Sequence, residues 1–307
     1  MNLNRFAKYS WGVLLFNVLV ILWGAFVRAT GSGAGCGSHW PLCNGEVVPR
    51  SPQIGTVIEF VHRATSGLAF LLVLGLLVWA LRTYPKGDRV RRAAALSFLF
   101  VVTEALVGAG LVLFRWVAQD ASSGRAVTIV IHLVNTFLLL ASLAMTAWIA
   151  SGFSERRGES ISKRLPLLII GMLGAIVLGA SGALTALGDT LFPASSLAEG
   201  IQRDFSPTAH FLIRLRVFHP TIAVIVGTYL IILAGLIRIQ VHDPITQRIA
   251  RLLTVGVFLQ LGAGMLNLLL LAPVWMQIVH LLLADLVWIA LALLTFSSLG
   301  LGYNTNL

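Results

Sequence analysis

The chain has 307 residues, of which 57% are hydrophobic and only 11% are charged, and its formal net charge is +10. This composition excludes a soluble globular domain, because long apolar stretches recur along the chain and no connecting loop is large enough for a separate core. It also excludes a nucleic-acid partner, because the basic residues flank the apolar stretches and do not cover a soluble surface.

Eight apolar stretches are long enough to cross about 30 Å of hydrocarbon as helices. They lie near residues 10–28, 57–81, 93–114, 127–150, 165–187, 212–237, 252–272 and 276–300. We expect the first to be retained as a span, because Val27 to Thr30 continue it without the small-residue site of a cleavable signal. The sequence therefore predicts an all-α integral membrane protein with eight transmembrane helices.

Lysine and arginine concentrate on one side of these spans, before span 1 and in the connections after spans 2, 4 and 6. The 14 basic residues on this side, out of 22, are Arg5, Lys8, Arg82, Lys86, Arg89, Arg91, Arg92, Arg156, Arg157, Lys163, Arg164, Arg238, Arg248 and Arg251. Basic loops stay on the cytoplasmic side of a membrane. We therefore expect a plasma-membrane protein with both termini cytoplasmic, and with the first loop (about 29–56) and the fifth (about 188–211) outside.

The first outer loop contains the two cysteines of the chain, Cys36 and Cys43. Extracytoplasmic cysteines this close in sequence are typically joined in a disulfide. Both a structural disulfide that clamps this glycine-rich loop and a redox-active pair are compatible with the spacing.

Four histidines each lie near the start of an even-numbered span: His62, His132, His219 and His280. The first and third are 157 residues apart and the second and fourth are 148 apart, which indicates one four-helix unit used twice. Because four spans return the chain to the same side, the two units must be parallel and related by an axis along the membrane normal. The predicted architecture is two parallel pseudo-repeated four-helix bundles, at 1–151 and 165–307, with a cytoplasmic linker at 152–164.

An imidazole inside a bilayer is costly unless it has a ligand or a partner. Two neutral imidazoles on facing helices are a usual way to hold haem iron from both sides. We therefore expect helix 2 to face helix 4 and helix 6 to face helix 8, so that each pair of histidines flanks one iron. For any single histidine, a hydrogen-bonded place in the helix core is the alternative, but four at matched depth favour the haem interpretation.

The two halves differ one turn before the first histidine of each. In the N-terminal half, Glu59 precedes His62 by three residues and shares its helix face. In the C-terminal half, Arg216 occupies the equivalent position before His219. A carboxylate beside a haem pocket suits taking a proton or stabilising a cationic intermediate, and a salt bridge to Arg63 is the alternative. An arginine suits a haem propionate. The difference predicts chemistry in the N-terminal half and a permanent cofactor in the C-terminal half.

Other charged residues lie in the spans or near their outer ends. Glu104 suits a proton path or a hydrogen bond inside the bundle, and Asp285, five residues past His280, is interpreted as a residue that joins packed helices. Five arginines near the outer face are candidate propionate contacts, with interfacial stabilisation of helix ends as the alternative. They are Arg28, Arg63, Arg125, Arg214 and Arg216.

With these residues assembled, the chain resembles the heme A synthase family of integral membrane enzymes over about residues 10–300. The specific part of the likeness is a glycine-rich loop motif combined with Glu-x-x-His-Arg. The matching segments are Gly24-Ala25-Phe26-Val27-Arg28-Ala29-Thr30-Gly31-Ser32-Gly33 running into Cys36, then Trp40-Pro41-Leu42-Cys43, Glu59-Phe60-Val61-His62-Arg63, Phe218-His219-Pro220, and His280.

The resemblance implies that one methyl group of heme O is oxidised to the formyl group of heme A by two hydroxylations and loss of water. It implies a bound haem b for electron transfer, with His219 and His280 as its axial ligands. It also implies that His62 and His132 belong to the heme O site and that Glu59 is the essential acid of the reaction.

The resemblance further implies a disulfide between Cys36 and Cys43. Besides heme O and membrane lipid, the implied partners are a heme O synthase, a terminal oxidase and an unidentified electron carrier. One departure concerns helix 3, where Glu104 stands in place of the expected glutamine, which Gln260 supplies in the other half.

Two other classes of protein compete with this interpretation. A di-haem membrane b-type cytochrome carrying electrons from quinol would need the same histidines, but it would leave Glu59 without a purpose. A transporter built from parallel repeats would place polar groups at the midplane in discontinuous helices, whereas here they gather near one face. The sequence therefore favours the heme A synthase interpretation.

Overall fold

The computed structural model describes residues 3–50, 52–153 and 161–299, and every regular element in these ranges is helical. Eight helical segments are long and apolar enough to cross a membrane, which confirms the predicted all-α multi-pass membrane fold. Residues 154–160 of the predicted linker, with Arg156 and Arg157, lie outside the described ranges. The helices are α1 (Arg5–Ala29), α2 (Ile54–Thr83), α3 (Arg89–Leu113), α4 (Ser123–Ala150), α5 (Ile161–Leu191), α6 (Leu197–Asp204), α7 (Phe211–Arg216), α8 (Phe218–Gln240), α9 (Pro244–Leu269) and α10 (Val274–Ser298).

Several spans begin before the apolar stretch that predicted them, because a polar side chain caps the helix further upstream. The seventh span was predicted from 252, but α9 begins at Pro244. Asp243 accepts a hydrogen bond from the amide of Thr246 at 2.7 Å, and proline is favoured at the first helical position. In the same way, Asp88 accepts from the Val90 amide at 2.7 Å and starts α3.

The connection between spans 5 and 6 contains the short helix α6, which the apolar pattern does not predict. Its start is capped reciprocally: Ser196 Oγ accepts from the Glu199 amide at 3.2 Å, and Glu199 accepts from the Ser195 amide at 2.8 Å. Span 6 is then divided into α7 and α8 at Val217, because Pro220 lacks the amide proton that would bond four residues back.

The eight spans form two four-helix bundles. In the first, α1 and α3 each pack against both α2 and α4, and in the second, α5 and α9 each pack against both α8 and α10. The bundles meet where α4 packs on α10, flanked by contacts of α4 with α5 and of α1 with α10. Phe137 stacks on Trp288 at this junction with ring centroids 4.6 Å apart, and the Trp288 Nε1–H donates to the Phe137 carbonyl at 2.7 Å. The predicted pseudo-repeat is compatible with this packing and remains a prediction.

The four histidines lie near the same end of the two bundles. Each is between six and nine residues after the first residue of its span, which corresponds to a depth of about 9–14 Å along the helix. This end also carries residues 30–53, the connection from α1 to α2 that we call loop 1, and is referred to below as the loop-1 face.

Candidate haem-binding site

Each of the four histidine rings lies over a glycine of the preceding span. A Cβ atom at Gly24 would lie 2.9 Å from Cε1 of His62, and one at Gly182 would lie 3.0 Å from Cε1 of His219. Both separations are shorter than ordinary van der Waals contact, so a side chain at either position would displace the imidazole. The corresponding shortest separations are 3.1 Å for Gly264 and His280, and 3.8 Å for Gly108 and His132.

The histidines of the C-terminal half have the separation expected of two ligands to one iron. The ring centroids of His219 and His280 are 6.5 Å apart. Since a metal–imidazole bond is about 2 Å long, two rings on opposite sides of one ion have centroids roughly 6 Å apart. Ser181 Oγ lies 2.9 Å from Nδ1 of His219. Such an outer hydrogen bond orients the ring and leaves Nε2 for a metal.

Buried polar atoms around these rings include several without a hydrogen-bond partner among the described residues. They include Nδ1 of His62, Nδ1 of His280 and Oε1 of Gln260, whose Nε2 lies 3.3 Å from Nε2 of His280. Buried polar atoms in proteins are nearly always paired. Unpaired atoms at His62, His132 and His280 therefore fit a polar, metal-containing group such as haem.

His132, in the N-terminal half, lies beside a carboxylate. Its Nδ1 is 3.1 Å from Oε1 of Glu104, a charge contact without the alignment of a hydrogen bond. Thr136 Oγ1 donates to the same oxygen and Asn135 Nδ2 donates to Oε2, both at 2.5 Å. The sequence left two interpretations of Glu104 open, a proton path and a hydrogen bond inside the bundle. The contacts with Thr136 and Asn135 are hydrogen bonds inside the bundle.

Glu59 is only 3% exposed, and both of its carboxylate oxygens have partners. Oε1 accepts from Nη2 of Arg63 at 2.5 Å and from Nε at 3.1 Å, and Oε2 accepts from the backbone amide of Cys36 at 2.8 Å. The salt bridge considered from the sequence is therefore present. The catalytic role of Glu59 beside His62 stays a prediction.

Loop 1 is held against the start of α2 by the same ion pair. Arg63 Nη1 donates to the carbonyls of His39 and Leu42 at 2.6 Å each. Cys36 and Cys43 are buried and form a disulfide, which confirms the predicted pairing. The disulfide, Arg63 and Glu59 together fix loop 1 above the N-terminal pair of histidines.

Arg216, interpreted from the sequence as a propionate contact, is paired with two carboxylates of the protein. Its Nε lies 2.5 Å from Oδ1 of Asp204 and its Nη1 lies 3.1 Å from Oδ1 of Asp189. Neither acid was predicted from the sequence as a site residue, because both lie at least 12 residues from Arg216 on other helices. The three side chains join α5, α6 and α7 at the loop-1 face, and the propionate role of Arg216 stays a prediction.

The remaining predicted arginines occupy different environments. Arg28 donates to Thr190 Oγ1 of α5 at 2.6 Å and to Gln277 Oε1 of α10 at 3.0 Å, so it joins the first bundle to the second. Arg125 is 3% exposed and donates to two carbonyls of the α3–α4 connection at 2.6 and 2.7 Å. Arg214 is exposed. Propionate binding stays a prediction for these residues as well.

Asp285 is fully buried, and both of its oxygens lack a hydrogen-bond partner within the described ranges. The sequence interpretation, a residue that joins packed helices, is therefore not supported by any hydrogen bond in the structure. The expectation that it lies away from the face of His280 follows from its spacing, because five residues turn a helix well past the ligand.

Comparison with known proteins identifies relatives that carry two different names, protoheme IX farnesyltransferase and heme A synthase. A protein of Thermus thermophilus named protoheme IX farnesyltransferase is 55% identical over 299 residues, which are 97% of this chain and 49% of that protein. The chain thus spans about half the length of this relative. Heme A synthase of Exiguobacterium sibiricum is 34% identical over 171 residues, 55% of each chain. Heme A synthase of Halalkalibacterium halodurans is 45% identical over 97 residues, 32% of this chain and 33% of the relative.

The cytochrome oxidase assembly protein family matches residues 7–292. The match runs from α1 into α10 and so includes Glu59, loop 1 and all four histidines. Together with the two heme A synthases, it confirms the resemblance on which the sequence interpretation was based. The chain therefore belongs to the cytochrome oxidase assembly protein family and has heme A synthases among its relatives.

Proposed function

We propose that this chain is a heme A synthase, an oxidoreductase that converts one methyl group of heme O to a formyl group. The observation that carries the proposal is the set of four imidazoles at matched depth, each over a glycine of the preceding span. Two pairs of imidazoles provide two porphyrin sites in one chain, as an enzyme needs when one haem is its substrate and another carries electrons. Membership in the family supports the proposal.

His219 and His280 would hold haem b between α8 and α10. Their 6.5 Å centroid separation suits one iron, and Ser181 would fix the ring of His219 with Nε2 directed at the metal. When bound, haem b supplies the one-electron chemistry that amino-acid side chains lack. The surroundings of this pair, a hydroxyl from Ser181 and an amide from Gln260, are neutral, which suits a cofactor that stays in place.

His62 and His132 would bind heme O in the N-terminal half. Glu59, one helical turn before His62, would accept protons released from the substrate carbon. Its hydrogen bond from the Cys36 amide and its ion pair with Arg63 hold the carboxylate buried at the loop-1 face. Loop 1 covers this end of the bundle, so the same contacts would limit the entry of water.

The reaction changes a single carbon of the substrate. One hydroxylation gives an alcohol, a second gives a geminal diol, and loss of water from the diol leaves the formyl group. Converting a methyl into a formyl group is a four-electron oxidation that adds one oxygen atom, so it requires water or dioxygen as the oxygen source and an electron acceptor outside the chain. The residues of this chain contribute binding through His62 and His132, and proton acceptance through Glu59.

We further propose that the protein lies in the plasma membrane with both termini in the cytoplasm and both haem sites toward the outside. The disulfide in loop 1 supports this orientation, because disulfides persist in oxidising compartments. The basic residues at the opposite ends of the helices support it as well. The proposed partners are a heme O synthase, which would supply the substrate, and a terminal oxidase, which would receive the product.

The name of the Thermus relative makes haem farnesylation a second candidate. Purified protein incubated with heme O and an electron acceptor should yield formyl haem, detected by its absorption spectrum and mass after extraction. Incubation with haem B and farnesyl diphosphate separates the candidates, because a transferase would produce heme O. Recovery of the added haems unchanged from both reactions, with haem b still bound to the protein, would favour the di-haem electron carrier instead.

A further inference from the structure

The polar shell around His132 consists of four side chains, from Thr103 and Glu104 of α3 and Asn135 and Thr136 of α4. Glu104 lies beside Nδ1 of His132 and accepts hydrogen bonds from Thr136 and Asn135. Asn135 is itself fixed, because its Oδ1 accepts from Thr103 Oγ1 at 2.6 Å and its Nδ2 also donates to the Phe100 carbonyl at 2.9 Å. Both Glu104 oxygens and the Asn135 amide therefore have defined positions.

The C-terminal half has no such shell at the corresponding positions. When Gly108 is aligned with Gly264, the glycines that lie against His132 and His280, Glu104 corresponds to Gln260 and Thr103 to Leu259 on the third span of each half. On the fourth span, Asn135 corresponds to Leu283 and Thr136 to Ala284. The charge and all three residues that position it thus occur in one half only.

A carboxylate beside Nδ1 of a ligating histidine has a known physical effect. Where such a carboxylate accepts the Nδ1 proton, it fixes the tautomer with Nε2 free and makes the imidazole a stronger electron donor to the metal. Extra negative charge near an iron stabilises the oxidised form over the reduced form, which lowers the reduction potential. A neutral amide or hydroxyl partner has a smaller effect.

We propose that Glu104 is a positioning residue that acts through His132 to lower the reduction potential of the haem bound in the N-terminal half. The inference rests on the proposed function, because it assigns heme O to His62 and His132. It means that the substrate haem gives up electrons more readily than the haem held by His219 and His280. An electron on the iron of the N-terminal haem would then pass more readily toward the haem at His219 and His280, while oxidation of the methyl group itself still requires the acceptor outside the chain.

The test is redox potentiometry of purified protein loaded with heme O, monitored by optical spectra. In Glu104→Gln, the potential of the N-terminal haem should rise while that of the haem at His219 and His280 stays unchanged. Substitutions of outer-sphere partners typically cost about 10- to 100-fold in affinity or activity, so formyl production should fall by that factor. Glu104→Asp, which keeps the charge, should recover part of both losses.

The reciprocal substitution Gln260→Glu is the matched control in the other half. Placing a carboxylate near His280 should lower the potential of the C-terminal haem and leave the N-terminal one unchanged. If Glu104→Gln is poorly folded, Asn135→Leu keeps the carboxylate but removes one of its donors, and it should raise the potential by a smaller amount in the same direction.

An unchanged N-terminal potential in Glu104→Gln, with or without loss of product, would show that Glu104 only stabilises the packing of α3 on α4, and would overturn the inference. The proposed function fails separately, if wild-type protein converts no heme O. In that case the potentials of Glu104→Gln and wild type still report whether the carboxylate acts on the iron.

Discussion

The N-terminal and C-terminal bundles place their histidines alike but surround them differently. In both, the imidazole of the second span lies against a glycine of the first, at Gly24 and at Gly182. In the N-terminal half, buried carboxylates accompany the rings, whereas in the C-terminal half the nearest partners are the hydroxyl of Ser181 and the amide of Gln260. Under the proposed function, packing would fix where each porphyrin binds, and a few polar side chains would decide whether it is retained or chemically changed.

The largest effect should come from Glu59, which has no counterpart in the other half. Glu59→Gln keeps the side-chain shape but cannot accept a proton, and general acid–base groups contribute about 10²–10⁴-fold to rate. We expect formyl haem production to fall by that range with haem b content unchanged, as measured by pigment extraction. Arg63→Gln is the matched control: it removes the ion pair but keeps the carboxylate of Glu59, so formyl haem production should fall less than in Glu59→Gln. An undiminished yield in Glu59→Gln would remove the proton-acceptor role.

The comparison between halves predicts different losses from equivalent histidines. His219→Ala should lower the content of haem b by more than about tenfold, because losing a ligand costs more than losing an outer-sphere partner, for which 10- to 100-fold is typical. His62→Ala should leave haem b content near wild type and abolish conversion of heme O. Optical spectra of the purified proteins measure both. Equal loss of haem b in the two variants would contradict the assignment of different haems to the two bundles.

A smaller effect is expected from the glycines beneath the rings. Gly182→Ala would place a Cβ 3.0 Å from the His219 ring, and overpacking of this kind costs about 1–3 kcal/mol. Haem b affinity should therefore fall roughly 5- to 150-fold. Gly24→Ala should weaken heme O binding instead.

The control for both glycine variants is Gly67→Ala in α2, where a Cβ would have no neighbour within 4 Å. Its haem content and conversion of heme O should match wild type. A loss of haem b in Gly24→Ala as large as that in Gly182→Ala would show that these glycines determine the stability of the whole protein rather than of one site.

The smallest effect should come from the disulfide, which only the first half has. Replacing Cys36 and Cys43 together by serine should destabilise loop 1 by about 2 kcal/mol, since the bridge closes a short segment. Limited proteolysis of loop 1 would detect the loosening, while haem b content should remain unchanged. Chemical reduction of wild-type protein is the control. A fall in haem b content on reduction would show that loop 1 also stabilises the second bundle.

The sequence predicted the number of spans, the disulfide and the depth of the histidines, because apolar length and residue spacing encode these features directly. It placed the start of α9 too late, since hydropathy marks only the apolar part of a helix and Asp243 lies outside it. It missed α6 for a similar reason, because the Ser196 cap carries no apolar signal.

Contacts between distant segments could not be predicted. The pairing of Arg216 with Asp189 and Asp204 depends on how α5, α6 and α7 come together, which no local pattern specifies. Ser181 beside His219 was equally hidden, because the residue at the same place in the first half is Trp23 and the repeat therefore gave no indication of a hydroxyl.

The stacked pair Phe137 and Trp288 joins the two helices that carry His132 and His280. Since an electron crosses a protein at a rate that falls steeply with distance, this contact between the helices would set the tunnelling distance between the two proposed haems. Electron transfer between those haems would then need no diffusing carrier, and separately produced halves should work together only if they re-form this aromatic contact.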